Sequence, residues 1–265
     1  MLMVSLACLG AVFGLFFLLW LVSLKLRDAG IVDMVWGFGF VIIAWIAFVL
    51  GEGAFPRRVL MVTMVTLWGL RLTAYLTWRN LGKGEDYRYQ AMRQKYGDRF
   101  PMVSLTRVFV LQSVVMWLVS FPVQAAQVAK EPVDLGLLDF VGIGFWAIGL
   151  FFEAVGDLQL ARFKGDPANA GKVMDRGLWR YTRHPNYFGD FMVWWGIYCV
   201  ALATISAWWT FFGPALMSFF LLRVSGVPLL EKSLRKNRAG YEEYIQQTNA
   251  FFPWAPKKTG SGDNG

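Results

Sequence analysis

This 265-residue chain has a single histidine, His184, and only two cysteines, Cys8 and Cys199. One histidine excludes the histidine clusters of membrane di-iron hydroxylases and any histidine-rich metal centre. Both cysteines lie in apolar runs without metal-type spacing, so they read as buried reduced thiols rather than a disulfide or a ligand pair. Charge is scarce at 17% of residues, and it is lopsided, with 26 Lys and Arg against 18 Asp and Glu for a net +8. The basic residues alternate with apolar stretches instead of forming one tract, which argues for membrane topology and against a nucleic-acid partner. The first apolar stretch, near residues 2–24, lacks a basic start and a small-residue cleavage site and is read as a retained helix, not a signal peptide. Internal repeats and low-complexity tracts are also missing, apart from a small-residue tail at 259–265 that is expected to be disordered.

What the chain does have is apolar length. Hydrophobic residues make up 56%, aromatics 17%, and the mean hydropathy is +0.44, values of the membrane class. A crossing helix needs roughly 17–25 apolar residues. Seven such stretches are expected near 2–24, 34–50, 59–79, 104–127, 137–161, 187–204 and 207–229, with breaks at Asp33, Gly51–Gly53, Gly82–Gly84, Pro132, Pro185 and Ser206. The expected fold is therefore an all-α integral membrane protein, with residues 1–258 forming one seven-helix domain. Connections after the first, third, fifth and seventh stretches carry most of the Lys and Arg, while the others hold only Arg57, Arg58 and Lys130. Positive-inside bias then puts the N-terminus outside and the C-terminus in the cytosol.

Ionisable residues at membrane depth are costly and point to cavities or partners. Four helix faces carry them. Arg71, Tyr75 and Arg79 recur every fourth residue, stacking guanidinium, phenol and guanidinium on one side of a helix. Glu153 and Asp157 share a face that continues toward Lys164. Asn186 and Asp190 are one turn apart, and Arg223 is two turns from Glu231. One explanation is interhelical ion pairing. The other is a polar, anion-accepting cavity open to the cytosol, and four such faces favour it because a buried ion pair is seldom more stable than apolar packing of the same volume.

The most specific string runs Gly177-Leu-Trp-Arg-Tyr-Thr-Arg-His-Pro-Asn-Tyr-Phe-Gly-Asp190. Pro185 suits the first turn of a helix, and Arg180 and Arg183 precede that start, an arrangement suited to phosphate. Gly189 permits close approach of backbone or ligand, while Asn186 and Asp190 offer amide and carboxylate contacts. His184 has a plainer reading as a satisfied helix-start residue. Gly142-Ile-Gly144-Phe-Trp-Ala147 matches the dinucleotide fingerprint, but it lies in a lipid-spanning stretch with no strand before it, where helix packing by small residues explains it.

Across roughly residues 60–255, and most strongly at Arg183-His-Pro-Asn-Tyr-Phe-Gly-Asp190, the chain resembles the steroid 5-alpha-reductase family and, more distantly, the sterol C14-reductases. The resemblance implies a seven-helix membrane fold that binds NADPH and reduces the carbon-carbon double bond of a 3-oxo-4-ene steroid. By position, Asn186 and Asp190 match the family's Asn-x-x-Gly-acid cofactor motif, Asp157 its cofactor aspartate and Arg223 the arginine of its last helix. Lys164 stands where the family has arginine, and Glu153 where it has asparagine. Arg71, Arg79, Arg180, Arg183, His184, Tyr187 and Glu231 complete the expected cofactor surface, and Tyr75 matches the catalytic tyrosine. The glutamate partner of that tyrosine has no direct counterpart: Asp33 is the first candidate and Glu52 the second. Val227 falls where the family has a histidine, and the segment Gly84–Tyr89 is not shared with its human-type members.

The resemblance thus implies NADPH entering from the cytosolic side of a bacterial inner membrane, an apolar enone arriving from the bilayer, and Tyr75 hydrogen-bonding its carbonyl. No protein partner and no metal are expected. The rival is a membrane methyltransferase similar to isoprenylcysteine carboxyl methyltransferases, which also carry an Arg-His-Pro-x-Tyr string and would use S-adenosylmethionine.

Overall fold

A computed structural model describes residues 1–224, 226–238 and 240–257; the tail expected at 259–265 lies outside the described residues. All regular structure among the described residues is helical. In order the helices are α1 (Leu2–Leu26), α2 (Ile31–Met34), α3 (Trp36–Leu50), α4 (Phe55–Asn80), α5 (Tyr87–Tyr96), α6 (Phe100–Ser104), α7 (Leu111–Val119), α8 (Phe121–Val128), α9 (Leu137–Gly165), α10 (Pro185–Leu202), α11 (Phe212–Phe219), α12 (Val227–Asn237) and α13 (Tyr241–Gln247).

Five stretches among the described residues are long and apolar enough to cross a membrane, two fewer than expected: Leu2–Leu26, Phe55–Asn80, Tyr87–Val119, Leu137–Gly165 and Ile205–Lys236. The expected span at 34–50 is the 15-residue α3, about 22 Å long against a hydrocarbon core of about 30 Å, because Val35 separates it from α2. The expected span at 187–204 becomes the 18-residue α10, whose first turns carry Asn186 and Asp190. The expected span at 104–127 instead reaches back to Tyr87, where Asp86 caps the helix by accepting from the Arg88 N–H, and stops at Ser120, just before α8. These apolar helices make the chain a multi-pass helical membrane protein.

The chain divides into two compact units, Met1–Phe140 with Ile197–Gly213, and Val141–Gly196 with the chain from Pro214 onward. In the first unit α3 and α4 touch backbone to backbone: a Cβ on Gly37 would lie 2.4 Å from the Gly69 carbonyl oxygen. At one end of these helices Arg57 and Asp139, both 0% exposed, form a two-pronged pair, Nε to Oδ1 and Nη2 to Oδ2, each at 3.0 Å. At the other end of α4 the chain before α5 clasps the turn after α1. The Ala29 N–H donates to Glu85 at 2.9 Å, and Arg93 donates to the same carboxylate at 2.8 and 3.0 Å.

The second unit is built on a glycine seam. Gly142, Gly149 and Gly156 recur every seven residues along α9, and Gly189 and Gly196 do so along α10. They meet in antiparallel order. A Cβ on Gly196 would sit 2.6 Å from the Gly142 carbonyl oxygen, one on Gly149 2.5 Å from that of Gly189, and one on Gly156 3.2 Å from Pro185. Small residues let helix backbones approach this closely inside a bilayer. Gly142, one of the glycines matching the dinucleotide fingerprint, therefore serves packing, whereas a Cβ on Gly144 would meet nothing within 4 Å. Gly149→Ala is expected to destabilise the protein by roughly 1–3 kcal/mol. Gly144→Ala is expected to be neutral or stabilising by up to about 1 kcal/mol. Melting the two variants side by side in detergent checks this, and equal melting temperatures would remove the seam.

Candidate functional site

In the second unit the expected carboxylate face is present and buried. Glu153 and Asp157, on α9, are 2% and 4% exposed. Asn186, in the first turn of α10, donates from Nδ2 to Asp157 Oδ1 at 3.2 Å and accepts from the Tyr187 N–H at 3.1 Å. A Cβ on Gly189 would lie 2.7 Å from Glu153 Cγ, so glycine is what allows this face of α10 to lie against the acidic face of α9. Four of the expected residues, Glu153, Asp157, Asn186 and Gly189, thus converge where α9 and α10 meet.

Arg183 and His184 close a second cluster. Arg183 donates from Nε to Glu231 Oε1 at 2.8 Å, its Nη2 is 2.8 Å from the same oxygen, and Nη1 donates to the carbonyls of Ile245 and Thr248 at 3.2 and 2.6 Å. Every nitrogen of that guanidinium is therefore engaged inside the protein. His184, 0% exposed, places Nε2 3.2 Å from the same Glu231 oxygen, and its ring stacks on Tyr187 at 5.5 Å with planes 11° apart. Burial pushes the His184 imidazole below its ordinary pKa even though Glu231 pulls the other way. As a neutral ring donating from Nε2 it leaves Nδ1 as an acceptor, and Nδ1 has no hydrogen-bond partner among the described residues.

The loop between α9 and α10 is held from two sides. The Leu178 N–H donates to Gln159 at 3.0 Å, and Trp179 Nε1 donates to the Gly156 carbonyl at 3.0 Å. From the C-terminal side, the Tyr244 hydroxyl donates to the Trp179 carbonyl, and the Arg183 N–H donates to the Asn249 carbonyl at 2.9 Å. Two cavities flank this loop. One, of about 200 Å³, has aromatic walls from Trp179, Tyr241 and Tyr244, and Lys164, Lys172, Arg183 and Arg238 also line it. The other, of about 720 Å³, is lined by Arg176, Arg180 and Lys257 among others. Of the residues expected to hold a cofactor, Lys164 and Arg183 line the smaller cavity and Arg180 the larger. Arg223 is exposed in a π-helical turn, Phe220–Val224. Lys172, Trp179, Arg238, Tyr241 and Tyr244 were not expected in a cavity wall, since only the fold of the C-terminal segment onto the loop brings them there.

In the first unit Arg71, Tyr75 and Arg79 stack as their spacing predicts, with the two guanidinium carbons 5.5 and 5.6 Å from the Tyr75 ring centroid. The acidic partners proposed for Tyr75 are engaged elsewhere. Asp33 accepts from the Tyr89 hydroxyl at 3.1 Å on Oδ1 and from Arg88 Nη2 at 2.7 Å on Oδ2. Glu52 is 82% exposed, pairs with Lys130 at 3.2 Å and precedes the start of α4, so about 30 Å of helix separates that start from Tyr75. Tyr89 had no signal in the sequence beyond its place in the Gly84–Tyr89 segment.

These features define a multi-pass helical membrane protein with a buried carboxylate-amide face and a cation-lined loop in one unit. The chain belongs to the family described as protein of unknown function (DUF1295), which matches residues 19–248. It is also similar to an uncharacterized protein of Schizosaccharomyces pombe (strain 972 / ATCC 24843), 24% identical over 266 aligned positions that cover 89% of this chain and 75% of the relative. No solved structure matches the chain.

Proposed function

We propose that this protein is an NADPH-dependent reductase that saturates the carbon-carbon double bond of a 3-oxo-4-ene steroid or a similar apolar enone. The observation that carries the reading is the buried face of Glu153 and Asp157 bonded to Asn186, on the same helix as Lys164 in the wall of a cavity with aromatic sides. Those residue types fit a dinucleotide. Aromatic walls suit the face of a base, Lys164, Lys172 and Arg238 suit phosphate, and the Asn186–Asp157 pair suits ribose hydroxyls or a carboxamide. Arg183 positions the loop through Glu231 instead of reaching a phosphate, because its donors are already engaged. The chemistry that bound NADPH supplies is hydride delivery to the beta carbon. The protein's part is to bind and orient, and Tyr75 donates a hydrogen bond to the carbonyl oxygen where negative charge develops. The alternation of Lys and Arg supports an N-terminus outside and a C-terminus in the cytosol, with the cofactor taken from the cytosol of a bacterial cell.

Melting the full chain in detergent with NADPH, NADH or S-adenosylmethionine tests the reading, since a ligand that binds only the folded state stabilises it by about 2.7 kcal/mol at a hundred times its dissociation constant. A shift with NADPH is expected. Asn186→Ala is expected to weaken NADPH about tenfold by removing one hydrogen bond at a charged group. A shift with S-adenosylmethionine alone would transfer the protein to methyl transfer, and an unchanged NADPH titration in the variant would move the site away from α10.

A further inference from the structure

The larger cavity of the second unit shares Tyr244 with the smaller one, but the cationic side chains of Arg176, Arg180 and Lys257 belong to none of the interactions described above. It is a cleft of about 720 Å³ lined by Asp175, Arg176, Gly177 and Arg180 on one side and by Tyr244, Gln247, Thr248, Pro256 and Lys257 on the other. Three cations face one carboxylate, and Asp175 approaches Arg176 only to 3.9 Å, with both side chains more than half exposed. Arg180 and Lys257 have no ion-pair partner among the described residues. Beside the cleft the Trp254 N–H donates to the Tyr181 carbonyl at 3.0 Å, which joins the two segments, and within one wall the Lys257 N–H donates to the Gln247 carbonyl at 2.9 Å.

Its position along the chain is equally informative. Residues 175–180 lie in the connection that leaves the apolar helix Leu137–Gly165, so the cleft opens at the end of a candidate membrane span. The strands of chain that form it also carry exposed rings, with Tyr181 45%, Phe252 60% and Trp254 73% exposed. Amphipathic rings beside cations are the composition of a headgroup-level belt, and cations at that level attract anionic lipid by about 1 kcal/mol each.

We propose that this cleft binds the phosphate of an anionic lipid headgroup, with Arg176, Arg180 and Lys257 as the cations and Tyr181, Phe252 and Trp254 in the acyl-headgroup boundary. The guanidinium planes donate to phosphate oxygens in pairs, and Gln247 adds a side-chain amide on the opposite wall. The shared chemistry is a phosphate oxyanion, and the apolar rings are what favour a lipid source over free phosphate. This inference rests on the membrane character of the chain and is independent of the proposed NADPH reading.

The test titrates the full chain, purified in a neutral detergent, with short-chain phosphatidylglycerol, short-chain phosphatidylcholine and inorganic phosphate, reading the melting temperature. The same titrations are run on a variant carrying Arg176→Gln and Lys257→Gln. Phosphatidylglycerol is expected to raise the melting temperature and phosphatidylcholine is not, and the double variant is expected to bind phosphatidylglycerol roughly 10- to 30-fold more weakly. Equal effects of the two lipids, or an unchanged response of the variant, would overturn the site. A response to inorganic phosphate as large as that to phosphatidylglycerol would overturn the lipid assignment. An NADPH titration of the double variant separates this proposal from the previous one: an unchanged NADPH response is expected, and a variant that lost NADPH while keeping phosphatidylglycerol would overturn the assignment of this cleft to lipid.

Discussion

Replacing Arg57 by alanine is expected to destabilise the protein by about 3–5 kcal/mol, among the largest effects of any single substitution in the first unit. Arg57 and Asp139 are both fully buried and meet in two parallel hydrogen bonds of 3.0 Å. The same guanidinium donates to the carbonyls of Pro132 and Asp134 at 2.7 and 3.1 Å. Removing it strands a buried carboxylate, and it takes a donor from two carbonyls of the turn that leads into α9. Asp139 would keep one donor, the Gly136 N–H at 2.8 Å, which is too little to hold an ionised carboxylate in an apolar setting. Combining Arg57→Met with Asp139→Leu is expected to recover most of the loss, because apolar packing of similar volume commonly equals or exceeds a buried ion pair. Thermal melts of the single and double variants in detergent measure both. A single variant within about 1 kcal/mol of the parent would mean that water reaches the pair.

That pair also shows where sequence reading stops. Arg57 is one of the sparse charges of the less basic connections, and nothing local distinguishes a lipid-surface arginine from one locked to a carboxylate 82 residues away. Local periodicity was informative wherever a helix face carries the pattern. The stack of Arg71, Tyr75 and Arg79 and the acidic face of Glu153 and Asp157 follow from fourfold spacing and are found as expected. The helix start at Pro185 follows from proline's missing N–H. The glycine seam is equally legible, since the sevenfold spacing of Gly142, Gly149 and Gly156 is visible in the sequence and Gly189 is a point of expected close approach. Which carboxylate meets which cation was not legible. Asp33 pairs with Arg88 and Tyr89 because the segment after α4 folds back over the turn after α1, a tertiary event that no spacing encodes. Arg183, expected to face phosphate, is consumed by Glu231 and two carbonyls because the C-terminal segment closes on the loop before α10.

Tyr75→Phe is expected to lower enone turnover by about a hundredfold or more while leaving stability and NADPH affinity nearly unchanged. The argument rests on what the substitution spares. The Tyr75 ring lies between the guanidinium groups of Arg71 and Arg79, and phenylalanine keeps a ring face for both cations. Only the hydroxyl is lost, and in the proposed reaction that hydroxyl carries the hydrogen bond to the oxygen on which enolate charge accumulates. Neither Asp33 nor Glu52 is needed for that role, since Asp33 is engaged by Arg88 and Tyr89 and Glu52 by Lys130. Single-turnover product formation and an NADPH melting titration on the same preparation separate chemistry from binding. Turnover within a few-fold of the parent would remove Tyr75 from the reaction. Tyr89→Phe is the informative companion, because the Tyr89 hydroxyl is the phenol that does meet Asp33. Loss of turnover in Tyr89→Phe with none in Tyr75→Phe would assign the donor to the Asp33–Tyr89 pair, and the clasp between the α1 turn and α5 would then hold reactive groups as well as the fold.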